Sequence, residues 1–313
     1  MRVAVTGVNG QVAKALEELA LAEQARGADV TVLLLGRPEL DLEQPESIHA
    51  AISASGADVL VNAAAYTAVD QAETDAGRAF AVNAVGAGEV AAAARALGVP
   101  VIHLSTDYVF DGGKDGPYVE DDAPGPTGVY GASKLAGEQA VAAANPDHAI
   151  LRTAWVYAPW GKNFVRTMLR LAETRDELRV VADQNGAPTY APDIAAGVLT
   201  VARNLLARPE DASLRGVFHM TGSGDTVWAG FAEAVFAASG ARGGPHAVVS
   251  PITTADYPTP ARRPANSRLD CAKLAHAHGV VLPQWRQSLE QCIERLVPET
   301  AEQARDLEGK LPS

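Results

Sequence analysis

Val3-Ala4-Val5-Thr6-Gly7-Val8-Asn9-Gly10-Gln11-Val12-Ala13 is an apolar run, a Gly-x-x-Gly turn and the opening of an Ala/Leu/Glu-rich stretch that continues to Arg26. The run Val3 to Thr6 reads as a short buried strand, Gly7 to Gly10 as a turn, and Val12 to Arg26 as a helix. In that order, the backbone N–H groups of the turn and the positive end of the helix converge on one point, which suits a dinucleotide pyrophosphate. Gly7 permits the tight turn, Gly10 lets the backbone approach phosphate, and Ala13, the third small residue, keeps the helix close to the strand. Gln11 and Val12 join Gly7 and Gly10 as candidate cofactor contacts. A Gly-x-x-Gly pair alone is equally a plain structural turn; its place at the first strand-to-helix junction is what favours a cofactor.

Outward from this turn the same rhythm repeats. Asp29 to Leu35, Val59 to Asn62, Val101 to Ser105 and Ala149 to Val156 read as strands, and Pro45 to Ser55, Arg78 to Leu97 and Tyr130 to Ala144 as helices. Strands alternating with helices at this spacing pair in parallel through right-handed crossovers. The expected fold class is α/β, a Rossmann-like doubly wound parallel sheet over residues 1–157. From residue 158 to 313 the pattern becomes irregular and proline-punctuated, with helices expected at Pro192 to Leu206 and Val227 to Ser239. That half is expected to form a smaller, irregular α/β substrate-binding lobe, some of its segments returning to the first domain. The polar stretch Glu299 to Ser313 reads as a solvated helix or frayed end.

Twenty-six basic against thirty-eight acidic residues give a net charge of −12, scattered rather than blocked, which excludes a phosphate-tracking nucleic-acid surface. Two cysteines, Cys271 and Cys292, exclude a disulfide framework and fit a reducing cytoplasm. No apolar run reaches the roughly 18 residues of a membrane span, and the first apolar run leads into the Gly-rich turn rather than a signal-peptide cleavage site. His276 and His278 diverge on a helix and lack ligating neighbours, so no required metal is expected.

The end of the second strand should meet the adenosine ribose. An NAD-selective site places Asp or Glu there, whereas this chain has Gly36-Arg37. A guanidinium pairs with a 2′-phosphate and stacks on adenine, so NADPH is the expected cofactor, with NADH the alternative and a merely exposed arginine the bland one. Asp41 and Leu42 are placed to flank the adenine. Tyr130-Gly131-Ala132-Ser133-Lys134 puts a phenol and an ammonium on one helix face, one turn apart. The ammonium is expected to draw the phenol, ordinarily near pKa 10, toward the working range. The strand Val101 to Ser105 ends at Thr106, whose hydroxyl can polarise a carbonyl. Thr106, Tyr130 and Lys134 are thus the expected catalytic residues. His103, interrupting an apolar strand, reads as a hydrogen-bonded core residue rather than a base.

The turn with Tyr-x-x-x-Lys resembles the extended short-chain dehydrogenase/reductase superfamily. More narrowly, six blocks resemble the dTDP-4-dehydrorhamnose reductase family: Asn62 to Asp70, Ser105 to Gly112, Leu151 to Tyr157, Asn163 to Val165, Asp183 to Thr189 and Arg263 to Asp270. The resemblance runs from residue 1 to about residue 296. It implies reduction of the 4-keto group of dTDP-4-dehydro-L-rhamnose by NAD(P)H, with Tyr130 giving a proton to the alkoxide and Lys134 holding the nicotinamide ribose. By motif position it implies that Ala63, Ala64 and Ala65 let the cofactor lie close to the backbone, and that Thr67, Val69, Asp107 and Trp155 face the sugar or its nucleotide. Arg262, Arg263 and Asn266 become candidates for the dTDP end, against the bland reading of a solvated basic loop. Ala13 and Ala158 depart from the glycines usual in the family, the second expected to reshape the sugar pocket. A reductase of another dTDP-4-keto-6-deoxyhexose shares the same machinery. A nucleotide-sugar epimerase, which must hold NAD tightly, fits Gly36-Arg37 poorly. A noncatalytic NADP-binding regulatory subunit, akin to that of methionine adenosyltransferase, would not need the intact triad. Nothing in the residues sets an oligomeric state.

Overall fold

A computed structural model describes residues 1–298; the stretch Glu299 to Ser313 lies outside them. Strands β1 (Arg2–Thr6), β2 (Thr31–Leu35), β3 (Val59–Asn62), β4 (Val101–Thr106) and β5 (His148–Thr153) are followed by β6 (Val156–Tyr157), β7 (Glu177–Val181), β8 (Asn185–Gly186), β9 (Thr189–Tyr190), β10 (Gly216–His219), β11 (Thr226–Val227) and β12 (Val248–Ile252). The helices are α1 (Gln11–Gln24), α2 (Pro45–Ser55), α3 (Val69–Ala72), α4 (Ala76–Phe80), α5 (Ala87–Leu97), α6 (Val129–Ala144), α7 (Phe164–Ala172), α8 (Ala191–Ala207), α9 (Trp228–Ala241), α10 (Ala272–His278) and α11 (Trp285–Leu296).

Six strands form one parallel sheet in the order β10-β5-β4-β3-β1-β2. The strand order reverses beside β1, and ligands of such sheets bind at the carboxyl edge next to that point. The strands are apolar on both sides because both faces are covered. Val3, Val5, Val61, Ile102 and Leu151 pack with α1 and α8, whereas Ala4, Leu60, Val101 and Ile150 pack with α2 and α5. The second half of the chain is divided between two places. α8, β10 and α10 lie on the sheet, whereas α7, α9, α11 and the short pairs β7·β12, β8·β11 and β6·β9 surround a separate aromatic core around Tyr157, Phe231 and Trp285. Among the described residues no helix is long and apolar enough to cross a membrane.

Two elements differ from expectation. Arg78 to Leu97 is not one helix: α4 and α5 are joined by a π-helical segment, Ala81–Gly86. The reason is Asn83, which makes its bonds outside the helix. Its Oδ1 accepts from Tyr66 N–H (2.8 Å) and its Nδ2 donates to the Tyr66 carbonyl (3.1 Å) and Ser133 Oγ (3.0 Å); the widened turn carries the side chain to those partners. Likewise Ala149 to Val156 is not one strand. β5 stops at Thr153, and Trp155 takes a left-handed φ of 49° before β6 begins.

Candidate active site

A groove of about 620 Å3 runs along the carboxyl edge of the sheet. Its floor begins at the turn from Gly7 to Val12. Gly7 has φ 96°, a conformation that favours glycine, and a Cβ on it would meet the Ala64 Cα at a tight 3.2 Å, so the turn and the segment after β3 approach closely. α1 carries no acidic residue in its first turn, which leaves its positive end available to an anion. Arg37, Asp41, Leu42, Ala63, Ala64, Ala65, Thr67, Tyr130 and Lys134 line the same groove as Gly7, Gly10, Gln11 and Val12. All the residues expected to touch a cofactor are therefore brought together. The Arg37 side chain is 67% exposed and 3.9 Å from Asp41, a separation at which the pair contributes little and the guanidinium stays available.

A segment from beyond residue 157 closes one side of this groove. Trp160 Nε1 donates to the Gln11 carbonyl (3.1 Å), and Asn163 Nδ2 donates to Gln11 Oε1 (2.9 Å) and to the Ala158 carbonyl (2.8 Å). Asn163 also caps α7, its Oδ1 accepting from Arg166 N–H at 3.1 Å. Lys162, on this loop, also lines the groove. Sequence reading missed Lys162, and only its nearness to the Asn163 block signalled it. Ala158 is fully buried in the core that covers the sheet, so the expectation that it shapes a sugar pocket is corrected.

Tyr130 and Lys134 stand in the first turns of α6. Glu73 Oε1 accepts from Val129 N–H (2.8 Å), supplying at that helix end the acceptor Gly128 lacks. The ring of Tyr108 meets that of Tyr130 edge-on, with centroids 5.5 Å apart. Thr106 Oγ1 donates to Asp107 Oδ1 (2.9 Å) and accepts from Tyr108 N–H (3.2 Å). Burial pushes the Asp107 carboxyl up to about 6, with Ser267 and Thr106 pulling it back. Asp107 Oδ2, Ser105 Oγ and Thr153 Oγ1 are buried and have no partner among the described residues.

The Tyr130 phenol is pushed up to about 12, chiefly by burial and secondarily by Asp107, with Thr106 opposing. This corrects the expectation that the ammonium draws the phenol downward. Lys134 Nζ donates to the Leu104 carbonyl (2.7 Å) and lies 3.3 Å from His103 Nε2, and its own pKa falls to about 8 through desolvation, which Glu138 partly offsets. The phenol is thereby held in its protonated form, the form that donates.

The other expected substrate contacts are less uniform. Val69 begins α3 and is half-buried. Arg263 Nη2 is 2.8 Å from Asp70 Oδ2, and Arg262 is exposed. Asn266 is committed to tying its loop to the segment after β4: Nδ2 donates to the carbonyls of Lys114 (2.7 Å) and Gly116 (2.8 Å), and Oδ1 accepts from Arg268 N–H (3.1 Å) and Nε (2.8 Å). A direct bond from Asn266 to a nucleotide is therefore replaced by a loop-holding role. Trp155 stacks on Trp228, centroids 3.5 Å apart at 10°, half-buried at the edge of the second core.

The sequence profile of the RmlD substrate binding domain family matches residues 1–297. The chain is 54% identical over 299 residues to the dTDP-4-dehydrorhamnose reductase of Sinorhizobium fredii, covering 96% of this chain and 99% of that one. The chain belongs to the dTDP-4-dehydrorhamnose reductase family. The Escherichia coli dTDP-4-dehydrorhamnose reductase is 43% identical over 83% of this chain and 87% of its own. Among solved structures, the family's Bacillus anthracis enzyme in complex with NADP superposes with a TM-score of 0.84 at 34% identity, covering 93% of this chain and 98% of that one.

Proposed function

We propose that the protein reduces the 4-keto group of dTDP-4-dehydro-L-rhamnose with NADPH, giving dTDP-L-rhamnose. One observation carries the reading: a single groove runs from a Gly-rich turn at a helix N-terminus to a protonated tyrosine, a lysine and two buried hydroxyls, Ser105 and Thr153, without partners among the described residues. The groove suits a dinucleotide, because the Gly7–Ala64 approach leaves a smooth backbone floor and the free helix end takes its diphosphate. Gly7, Gly10, Gln11, Val12, Ala63, Ala64 and Ala65 would cradle it, Asp41 and Leu42 flank its adenine, and Arg37 pair with the 2′-phosphate. When bound, NADPH supplies the hydride that reduces C4.

The chain's own residues do the rest. Tyr130 Oη gives its proton to the C4 oxygen as the carbonyl becomes an alcohol. Thr106 Oγ1, turning its hydroxyl hydrogen from Asp107 to that oxygen, holds it beside the phenol, and Lys134 Nζ holds the ribose end of the cofactor. Thr67, Val69, Asp107 and Trp155 are assigned to the sugar side, and Arg262 and Arg263 to the dTDP diphosphate, with Asn266 fixing the loop that carries both arginines. Residues 1–157 with β10 and α8 serve as the cofactor domain, and most of the remainder as the substrate lobe. Two free thiols, Cys271 and Cys292, favour a cytoplasmic setting. The test is a coupled assay with dTDP-4-dehydro-L-rhamnose that follows NADPH absorbance and identifies the product. Oxidation with dTDP-L-rhamnose as product supports the reading. No oxidation overturns it, and oxidation only with another dTDP-4-keto sugar reassigns the substrate.

A further inference from the structure

His103 is buried in the middle of β4 and belongs to a row that the sheet register builds. Thr6 on β1 is the register partner of Asn62 on β3, and Asn62 is the partner of His103 on β4. On the same face, the row beneath is apolar, running Ala4, Leu60, Val101. The three polar side chains are exposed by 0%, 1% and 1%. Such groups cost stability when buried unless bonded, and these are bonded to one another. Thr6 Oγ1 is 2.7 Å from Asn62 Oδ1 and accepts from Ala64 N–H at 3.1 Å; Asn62 Nδ2 is 3.0 Å from His103 Nδ1, and the two ends of the amide are interchangeable by a half-turn. The row ends on α6, where His103 Nε2 lies 3.3 Å from Lys134 Nζ.

Lys134 as an ammonium only donates, so the ring nitrogen facing it accepts and the imidazole is neutral. The ring proton then sits on Nδ1, and the Asn62 amide is turned by a half-turn so that Oδ1 accepts from it and Nδ2 donates to Thr6 Oγ1. Burial and the nearby Lys134 charge keep His103 well below its ordinary pKa, consistent with that form. The row ends inward at a backbone amide rather than at solvent, so it leads no proton out of the site. What it does is fix the position of a flexible side chain. Of the three Nζ donors, one is taken by Leu104 and one by His103, leaving a single donor for the groove.

We propose that His103, held by Asn62 and Thr6, is a positioning residue for the catalytic lysine, aiming the remaining Lys134 N–H into the groove. This rests on the role assigned to Lys134 above. It also ties the lysine to Ala64, so the backbone floor of the groove and its catalytic cation are set by one bonded row.

The experiment is a double-mutant cycle on purified full-length protein, measuring kcat with NADPH and the keto sugar, NADPH Kd by cofactor fluorescence, and Tm. His103→Leu should lower kcat about 10- to 100-fold, the scale of a misplaced catalytic group. In a Lys134→Met background the same change should cost under about twofold, because residues that act as a unit are not additive. His103→Gln, whose amide oxygen accepts from Nζ, should recover most of the loss. His103→Asn, which stays polar but falls short of Nζ, should behave like the leucine variant; it completes the cycle if the leucine variant fails to fold. Equal losses in both backgrounds, or wild-type kcat in His103→Asn, overturn the proposal. Wild-type kcat in Lys134→Met alone overturns the reading of Lys134 first, and this proposal with it.

Discussion

A Cβ on Gly131 would stand 2.2 Å from the carbonyl oxygen of Tyr108, so α6 rests directly on the loop that leaves β4. That contact sets how far Tyr130, the neighbouring residue, lies from Thr106. Gly131→Ala should force the helix outward and lower kcat about 100-fold, the typical cost of a displacement near 1 Å. Steady-state kinetics beside a melting curve checks this. Wild-type kcat would show that α6 can lift without moving the phenol.

Tyr130→Phe keeps the ring against Tyr108 but removes the transferable proton. The variant should bind NADPH and dTDP as the parent does and turn over about 10²- to 10⁴-fold more slowly. Near-parental kcat would refute the assignment of Tyr130 as proton donor.

Arg37→Asp replaces the exposed cation at the end of β2 with a like charge to phosphate. NADPH should weaken by about tenfold or more, with NADH affected much less. Fluorescence titration with both cofactors decides it, and equal loss for the two would remove Arg37 from the 2′-phosphate.

Asp107 gives the fold a pH dependence with a definite sign. Its folded pKa, about 6, is above the ordinary 3.8, so the folded state holds the proton more tightly and stability falls as pH rises between those values. The full effect is on the order of 3 kcal/mol. Asp107→Asn should flatten the loss of Tm between about pH 4 and pH 6. A parent whose Tm is level across that window would contradict the buried carboxyl.

Trp155→Ala removes the partner of Trp228 and the side chain held at a left-handed φ. KM for the keto sugar should rise, or kcat fall, while NADPH Kd stays within a few fold. Trp228→Ala should reproduce that kinetic change, because the stack is what orients the Trp155 ring. A large loss of Tm with normal kinetics in both variants would make the pair core packing alone, at about 3–5 kcal/mol.

The cofactor side was legible because it is built from local signals. Glycines at a strand-to-helix turn, a basic residue at a strand end and a Tyr-x-x-x-Lys spacing are each read within a few residues, and all of them line one groove. What stayed hidden depends on partners far along the chain. Asn83 looks like an ordinary interruption of an alanine-rich helix until Tyr66 and Ser133 are placed around it. The phenol's direction of shift could not be read from spacing, since burial and Asp107 act on Tyr130 while Lys134 points to Leu104 and His103. Asn266 looked like a ligand contact, but its amide is spent on Lys114, Gly116 and Arg268.

The sixth strand of the sheet has a consequence for how the chain is made. β10 pairs with β5, yet 62 residues separate the end of one from the start of the other. During synthesis, the first five strands have been made by Thr153, while α8, which covers one face of them, comes later and the outer edge of β5 stays unpaired until His219 is out. An open parallel edge is a template for the wrong partner, so this interval is when the nascent protein is most exposed to association with other chains. A fragment cut at residue 157 would carry that open edge permanently, and production of the cofactor half alone should yield aggregate unless the segment through His219 is retained.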